Sequence, residues 1–235
     1  MARTFVLVHG AWHGGWCWQR VAARLREDGD SVFTPTLTGV GERAHLLRAG
    51  IDLNTHITDI VNVLKWEDLK DVVLCGHSYG GFVISGVAEQ AAPLIRSIVF
   101  LDAFVPNNGE SVQDLTGPAV RDAIAKAVQD GDLAIAPRPA EAFNVNPDDR
   151  AWVDRMCVGQ PIATFTDKIV LTGARDHIAR KSYIRAAYYA NPGFDKALAA
   201  ARADSSWRTY DVPCGHDVMV DMPERLSEIL LEVAN

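Results

Sequence analysis

Apolar positions along this chain fall into two alternating patterns. Short β-branched runs stand at Thr4 to Val8, Ser31 to Pro35, Asp71 to Cys75, Ser97 to Leu101, Asp167 to Leu171 and Trp207 to Asp211, and each reads as a strand. Stretches with helical spacing lie between them. Phe82, Val83, Ile84, Val87, Ala88 and Ala91 form one, and Leu226, Ile229, Leu230 and Val233 form another behind Pro223, a residue suited to a first helical turn. Strands alternating with helix-length segments predict an α/β protein: a mostly parallel sheet of about six strands with right-handed crossovers and helices on both faces. From about Ala103 to Phe165 the alternation breaks. Val120, Ile124, Ala127 and Val128 keep a helical period there, and Pro137, Pro139 and Pro147 follow in a stretch without one. Such an insertion between two core strands predicts a helical cap, at about 103–165, on a single domain spanning 1–235.

The strand at Val72 to Leu74 runs into Cys75-Gly76-His77-Ser78-Tyr79-Gly80-Gly81, a Gly-x-Ser-x-Gly pattern between a strand and a helix. A turn this tight strains the serine backbone and leaves no room for side chains beside it, which gives Gly76 and Gly80 a steric reason to be there. The Ser78 hydroxyl is then presented above the sheet as a nucleophile. The first strand likewise runs into His9-Gly10-Ala11-Trp12-His13-Gly14-Gly15-Trp16, a loop placed to supply one backbone donor for an oxyanion. Ala11 and Tyr79 are the two predicted amide donors. His216 lies in Cys214-Gly215-His216-Asp217, after the strand ending at Asp211 and at the sheet edge where such proteins keep their sites.

A serine elbow of this kind goes with the chain order serine, acid, histidine. That order removes His9, His13, His45, His56 and His77 as the base and favours His216 over His177. For the acid, Asp176 is expected, on the exit loop of the strand at Asp167 to Leu171. Asp102, after the strand ending at Leu101, competes, and an ion pair of Asp176 with Arg175 or Arg180 is the plain structural alternative.

With these pieces in place, the chain resembles the α/β-hydrolase superfamily, and within it the plant methylesterases, hydroxynitrile lyases and their bacterial esterase relatives. The distinctive segment is Phe5 to Trp18; Leu101-Asp102-Ala103-Phe104-Val105-Pro106 and Gly215-His216-Asp217-Val218-Met219 are similar to later landmarks of that group. The resemblance implies a triad of Ser78, Asp176 and His216. It also separates ester hydrolysis from cyanohydrin cleavage, because the lyases carry threonine at the place of Gly10 and lysine at the place of Asp217. A cation suits a departing cyanide, and a carboxylate opposes it. The expected reaction is therefore serine-dependent hydrolysis of a small ester with an apolar portion, needing no cofactor and no metal. A lyase or cofactor-free dioxygenase on the same fold, or a ligand receptor that keeps the triad, stays open at this point.

Apolar cap residues such as Phe104, Leu115, Phe143, Trp152 and Met156 divide between the cap's own packing, the commoner fate of such residues, and the wall of a substrate pocket. Trp12, Phe104, Phe143 and Trp152 are the pocket candidates. His45 reads as a surface residue. With 235 residues, 48% of them hydrophobic, and a net charge of -7, the chain can bury an ample core and shows no basic footprint for nucleic acid. No apolar run is long enough to span a membrane and the N-terminus opens directly on a strand, so a cytoplasmic protein is expected. Its four cysteines, Cys17, Cys75, Cys157 and Cys214, lack metal-ligand spacing and are expected as free thiols. The partner is a small-molecule ester, and a homodimer stays open.

Overall fold

The computed structural model describes residues 2–235. The first half runs β1 (Thr4–Val8), α1 (Gln19–Glu27), β2 (Ser31–Phe33), α2 (Leu53–Trp66), β3 (Val72–His77), α3 (Gly80–Ala91) and β4 (Ile95–Leu101). An insertion follows, with α4 (Val112–Leu115), α5 (Pro118–Asp130), β5 (Ala134–Ile135), α6 (Pro147–Met156), β6 (Gln160–Pro161) and α7 (Ala163–Thr166). The chain then returns to the core through β7 (Arg180–Ala186), α8 (Pro192–Ala203), β8 (Trp207–Val212), α9 (Val218–Asp221) and α10 (Pro223–Ala234). Six strands form one parallel sheet in the order β2-β1-β3-β4-β7-β8, while β5 and β6 pair antiparallel within the insertion. Helices α3 and α10 both pack on β3 and β4 and so cover opposite faces of the sheet. Among the described residues no helix is long and apolar enough to cross a membrane.

Five of the six expected strands are present, and the sixth lies elsewhere. Lys168 to Leu171 is not a strand of the sheet. Its backbone lies against the loop at 108–110, through hydrogen bonds from Gly109 N–H to the Ile169 carbonyl and from Ile169 N–H to the Glu110 carbonyl. Ile169 is buried there and Val170 points outward, 76% exposed. The strand that actually fills this place in the sheet is β7, Arg-Lys-Ser-Tyr-Ile-Arg-Ala, whose three cations hide it from a search for apolar runs. Lys181 and Arg185 are nevertheless buried, because each finds acceptors: the Lys181 ammonium reaches the Asp176 and Ile178 carbonyls, and Arg185 meets two carboxylates. The insertion accordingly continues past Phe165, up to the start of β7.

The chain leaves β1 toward one edge of the sheet and β3 toward the other, so the C-terminal ends of these adjacent strands bound the crevice where open α/β sheets bind ligands. Space there is tight. A Cβ on Gly76 would lie 2.6 Å from the Gly80 carbonyl oxygen, and one on Gly80 would lie 2.9 Å from the Val8 and His9 carbonyl oxygens. These contacts are backbone atoms, which cannot rotate away as a side chain can. Gly76→Ala is therefore expected to cost about 2 kcal/mol by overpacking, seen in thermal unfolding as a fall in Tm of about 4–8 °C for a chain of this size. An unchanged Tm would show that the elbow has slack.

Candidate active site

Ser78 sits between β3 and α3 with φ of 53°, in the left-handed region that a non-glycine residue adopts only under constraint. The constraint is visible in its hydrogen bonds. Its N–H donates to the Leu101 carbonyl and its carbonyl accepts from the Phe104 N–H, both at 3.2 Å, so the turn is tied to the exit of β4. Trp12 (φ 67°) and Asp102 (φ 41°) share this strained conformation, one on the exit of β1 and the other on that of β4. The side chain of Ser78 is only partly buried and lines a cavity of about 480 Å3. Ala11 and Tyr79 line the same cavity, and among the described residues neither of their amides donates a hydrogen bond.

His216 reaches this cavity from the β8 exit. Its backbone N–H donates to the Phe143 carbonyl at 2.9 Å. Aromatic rings enclose the imidazole: Tyr189 stacks on it at 4.5 Å, with Phe194 at 5.5 Å and Phe143 at 5.6 Å. Its Nδ1–H donates to Asp102 Oδ2 at 2.6 Å, leaving Nε2 as the remaining ring nitrogen. The other oxygen of Asp102 accepts from Arg185 Nη1 at 2.6 Å and from the Ala186 N–H at 3.1 Å. A fully buried carboxylate is tolerable only when paired and hydrogen-bonded in this way.

The acid against His216 is thus Asp102, and the expectation of Asp176 is corrected. Asp176 lies just before β7, at the N-terminal edge of the sheet, whereas the site occupies the C-terminal edge, roughly 20 Å away along a seven-residue strand. Its side chain is 67% exposed and pairs with Arg175 at 3.7 Å. The loop that does leave the C-terminal end of β7 is Ala187 to Asn191, and it contains no acid. The sequence pattern points to neither Arg185 nor Tyr189; the signal for Arg185 is a cation inside a segment that a strand is needed to fill.

Trp12, Phe104 and Phe143 line the cavity together with Leu115, Ile135 and Phe165. Trp152 does not. It packs edge-on against Trp16 at 5.0 Å with the Arg20 guanidinium over its ring, because α6 turns that side chain toward the β1 exit loop instead of the cavity. Arg138, whose guanidinium lies 5.2 Å from the Phe143 ring centre, is the one permanently charged side chain in the wall. Asp217 is also absent from the wall: it is fully buried behind His216, with its carboxylate 3.0 Å from His13 Nε2. Its charge therefore does not stand in the cavity to oppose a leaving group. At Gly10, an added Cβ would come within 2.8 Å of His77 Nδ1, so a threonine there requires His77 to move.

Four of the histidines excluded as bases, His9, His13, His56 and His77, are buried around this centre. His77 Nε2 donates to the His216 carbonyl at 3.1 Å, and burial, with His216 nearby, holds its pKa well below the usual histidine range. His56 Nδ1 accepts from the Tyr79 hydroxyl at 2.9 Å while its Nε2 donates to the Thr38 carbonyl. His45 is exposed.

Residues 5–229 match the sequence profile of the alpha/beta hydrolase family. The chain is 46% identical over 236 residues to the carbendazim hydrolyzing esterase of Nocardioides sp. (strain SG-4G), covering 97% of this chain and 98% of that one. It is 35% identical over 112 residues to the putative chloroplastic methylesterase 11 of Arabidopsis thaliana, a similarity covering 47% of this chain and 29% of that protein. Among solved structures, an extracellular alpha/beta-hydrolase from a Paenibacillus species superposes with a TM-score of 0.85 at 24% identity over 98% of both chains, a likeness of fold. With a parallel sheet, a serine elbow after β3 and a profile match over nearly its full length, the chain belongs to the alpha/beta hydrolase family.

Proposed function

We propose that this carboxylic ester hydrolase works through Ser78 as nucleophile, His216 as general base and Asp102 as the acid that orients it. The observation that carries this reading is the 2.6 Å hydrogen bond from His216 Nδ1 to Asp102, which fixes the tautomer and leaves Nε2 free at the cavity that Ser78 lines. His216 takes the Ser78 proton as the hydroxyl oxygen attacks the ester carbonyl. The Ala11 and Tyr79 amides then hold the oxyanion, and His216 returns the proton to the departing alcohol. Water activated by His216 releases the acid from the acyl-enzyme. Asp102 stabilises the transient imidazolium, and the rings of Tyr189, Phe194 and Phe143 add their electron-rich faces around it.

A wall dominated by aromatic and aliphatic side chains, with Arg138 as its only permanent charge, favours a neutral ester with an apolar portion. The similarity to an esterase named for carbendazim hydrolysis and to methylesterases supports a methyl ester within that class.

Three measurements test this reading. Ser78→Ala is expected to lower turnover of a short p-nitrophenyl ester by about 10⁴ to 10⁶ while leaving the fold intact by circular dichroism; a modest loss would move the nucleophile elsewhere. Asp102→Asn should cost about 10⁴ in kcat, whereas Asp176→Asn, altering an exposed side chain on the far edge of the sheet, should leave kcat unchanged. The opposite ranking would return the acid role to Asp176. Finally, steady turnover of methyl and aryl esters past the first equivalent is expected, with no cyanide released from mandelonitrile above background; a single burst would favour a receptor, and cyanide release a lyase.

A further inference from the structure

Two buried histidines four residues apart hold the loop after β1, and their partners force opposite protonation states on them. His9 Nε2 accepts from the Leu37 N–H at 3.1 Å and so carries no proton, while its Nδ1–H donates to the Gly10 carbonyl at 2.7 Å. It is neutral, in keeping with a pKa pushed down by burial to about 3. His13 faces acceptors alone: the Ala11 carbonyl lies 2.8 Å from Nδ1 and Asp217 Oδ2 lies 3.0 Å from Nε2. Satisfying both bonds requires a proton on each ring nitrogen, which makes His13 a buried imidazolium.

We propose that His13 and Asp217 form a positioning pair for ester hydrolysis, a buried imidazolium and carboxylate that lock the oxyanion loop to the loop bearing the base. The proposal rests on the reading of Ala11 as an oxyanion donor and of His216 as the base. On one side, His13 grips the Ala11 carbonyl while Gln160 Oε1 accepts from the Trp12 N–H at 3.0 Å, so the peptide between Ala11 and Trp12 is held at both ends despite the strained Trp12 backbone. The preceding peptide is held through its carbonyl by His9, which also polarises it and strengthens its N–H, the Ala11 amide, as a donor. On the other side, Asp217 adjoins His216, and its carbonyl accepts from the Val220 and Asp221 N–H groups, which anchors it to α9. One charged contact thus spans residues that are 204 positions apart in the chain.

The groups facing the pair leave the charge on His13. His9 from the β1 exit and His77 from the end of β3 are held neutral, chiefly by burial. The Cys17 and Cys157 thiols near Asp217 have pKa values raised by burial and by that carboxylate, so they stay protonated. Asp221 is raised by burial and adds a weaker acidic neighbour, and His216 lies beside Asp217 with its own partner in Asp102. Burial alone would discharge His13, but the adjacent Asp217 outweighs it and raises the pKa above the usual histidine value. Asp217 is likewise held below the usual carboxylate range by His13, against burial. The stabilisation from His13 is therefore complete below its ordinary pKa of about 6.5 and is lost as pH rises through the raised value. The Asp217 contribution is complete above about 3.8 and is lost as pH falls through the depressed value.

The decisive measurement uses the wild-type enzyme, with ¹⁵N-edited NMR of the histidine rings alongside a pH profile of kcat on p-nitrophenyl acetate. At about pH 7.5, above the ordinary histidine pKa, both His13 nitrogens are expected to be protonated, and kcat should decline at alkaline pH in step with the His13 titration. Asp217→Asn keeps the shape but removes the charge. In that variant His13 should be neutral at the same pH, kcat should fall about 10- to 100-fold, the cost of a small misplacement of the oxyanion donor, and KM should change little. A neutral His13 in the wild type overturns the proposal, as does a folded Asp217→Asn enzyme with wild-type kcat. If instead Ser78→Ala keeps its turnover, the catalytic reading fails while the NMR result still reports on the pair.

Discussion

The site hangs on two main-chain hydrogen bonds between the serine turn and the exit of β4: Ser78 N–H to the Leu101 carbonyl, and Phe104 N–H to the Ser78 carbonyl. They continue the β3–β4 pairing, whose last registered residues are His77 and Leu101, past the end of the regular sheet. Asp102 lies between the two bonded residues of that exit, so Ser78 and Asp102 belong to one rigid piece of backbone. A Cβ on Gly81 would meet the Phe104 carbonyl oxygen at 2.0 Å, which shows how closely α3 sits on the same segment. Only His216 arrives from a distance. Its loop leaves β8 at the sheet edge and is pinned by the Phe143 carbonyl, by the ring stack of Tyr189 and Phe194, and by the pair that Asp217 makes with His13.

With Asp102 at the exit of β4, the neighbouring strand β7 takes a different task. Its end does not carry a carboxylate but supplies the donors that hold one: the Arg185 guanidinium and the Ala186 amide both reach Asp102 Oδ1, leaving Oδ2 for His216. Arg185 Nη2 also donates to the Tyr189 carbonyl and to Asp195, so one side chain fixes Asp102 and the segment whose ring lies on His216. An arginine suits this place because its fork serves several acceptors at fixed angles, which a lysine cannot. Removing one member of such a buried pair typically costs about 3–5 kcal/mol, since the other is left charged and unpaired. That penalty keeps the two together.

Legibility in the sequence followed the physics of each element. Strands β1, β3 and β4 are buried between helices and read as apolar runs, and the Ser78 elbow and His216 loop announce themselves by steric and positional demands that few residues meet. Strand β7 did not, because its burial is achieved by pairing charges, and pairing is a property of the fold and not of the segment. With β7 hidden, Lys168 to Leu171 reads as the strand, and Asp176, the next aspartate, stands on what looks like its C-terminal loop. The cap showed its presence as broken periodicity, yet which face each aromatic turns to depended on how its helices pack. Phe143 and Phe104 meet the cavity and Trp152 meets Trp16, a distinction that their shared apolarity does not contain.

The same limit explains the histidines ahead of Ser78. Chain order removes them as bases, but His9, His13, His56 and His77 are buried around the elbow and each carries hydrogen bonds that shape it. A histidine ring is rigid and has two edges that switch between donor and acceptor, so it can bridge backbone groups that no aliphatic side chain would satisfy. What each ring becomes is decided by the groups it meets. A Leu37 amide on one nitrogen makes His9 a neutral bridge, and a carboxylate in the same role makes His13 a cation. Identical residues four positions apart thus acquire different charge states from partners 28 and 204 residues away, and the loop between them is held by both.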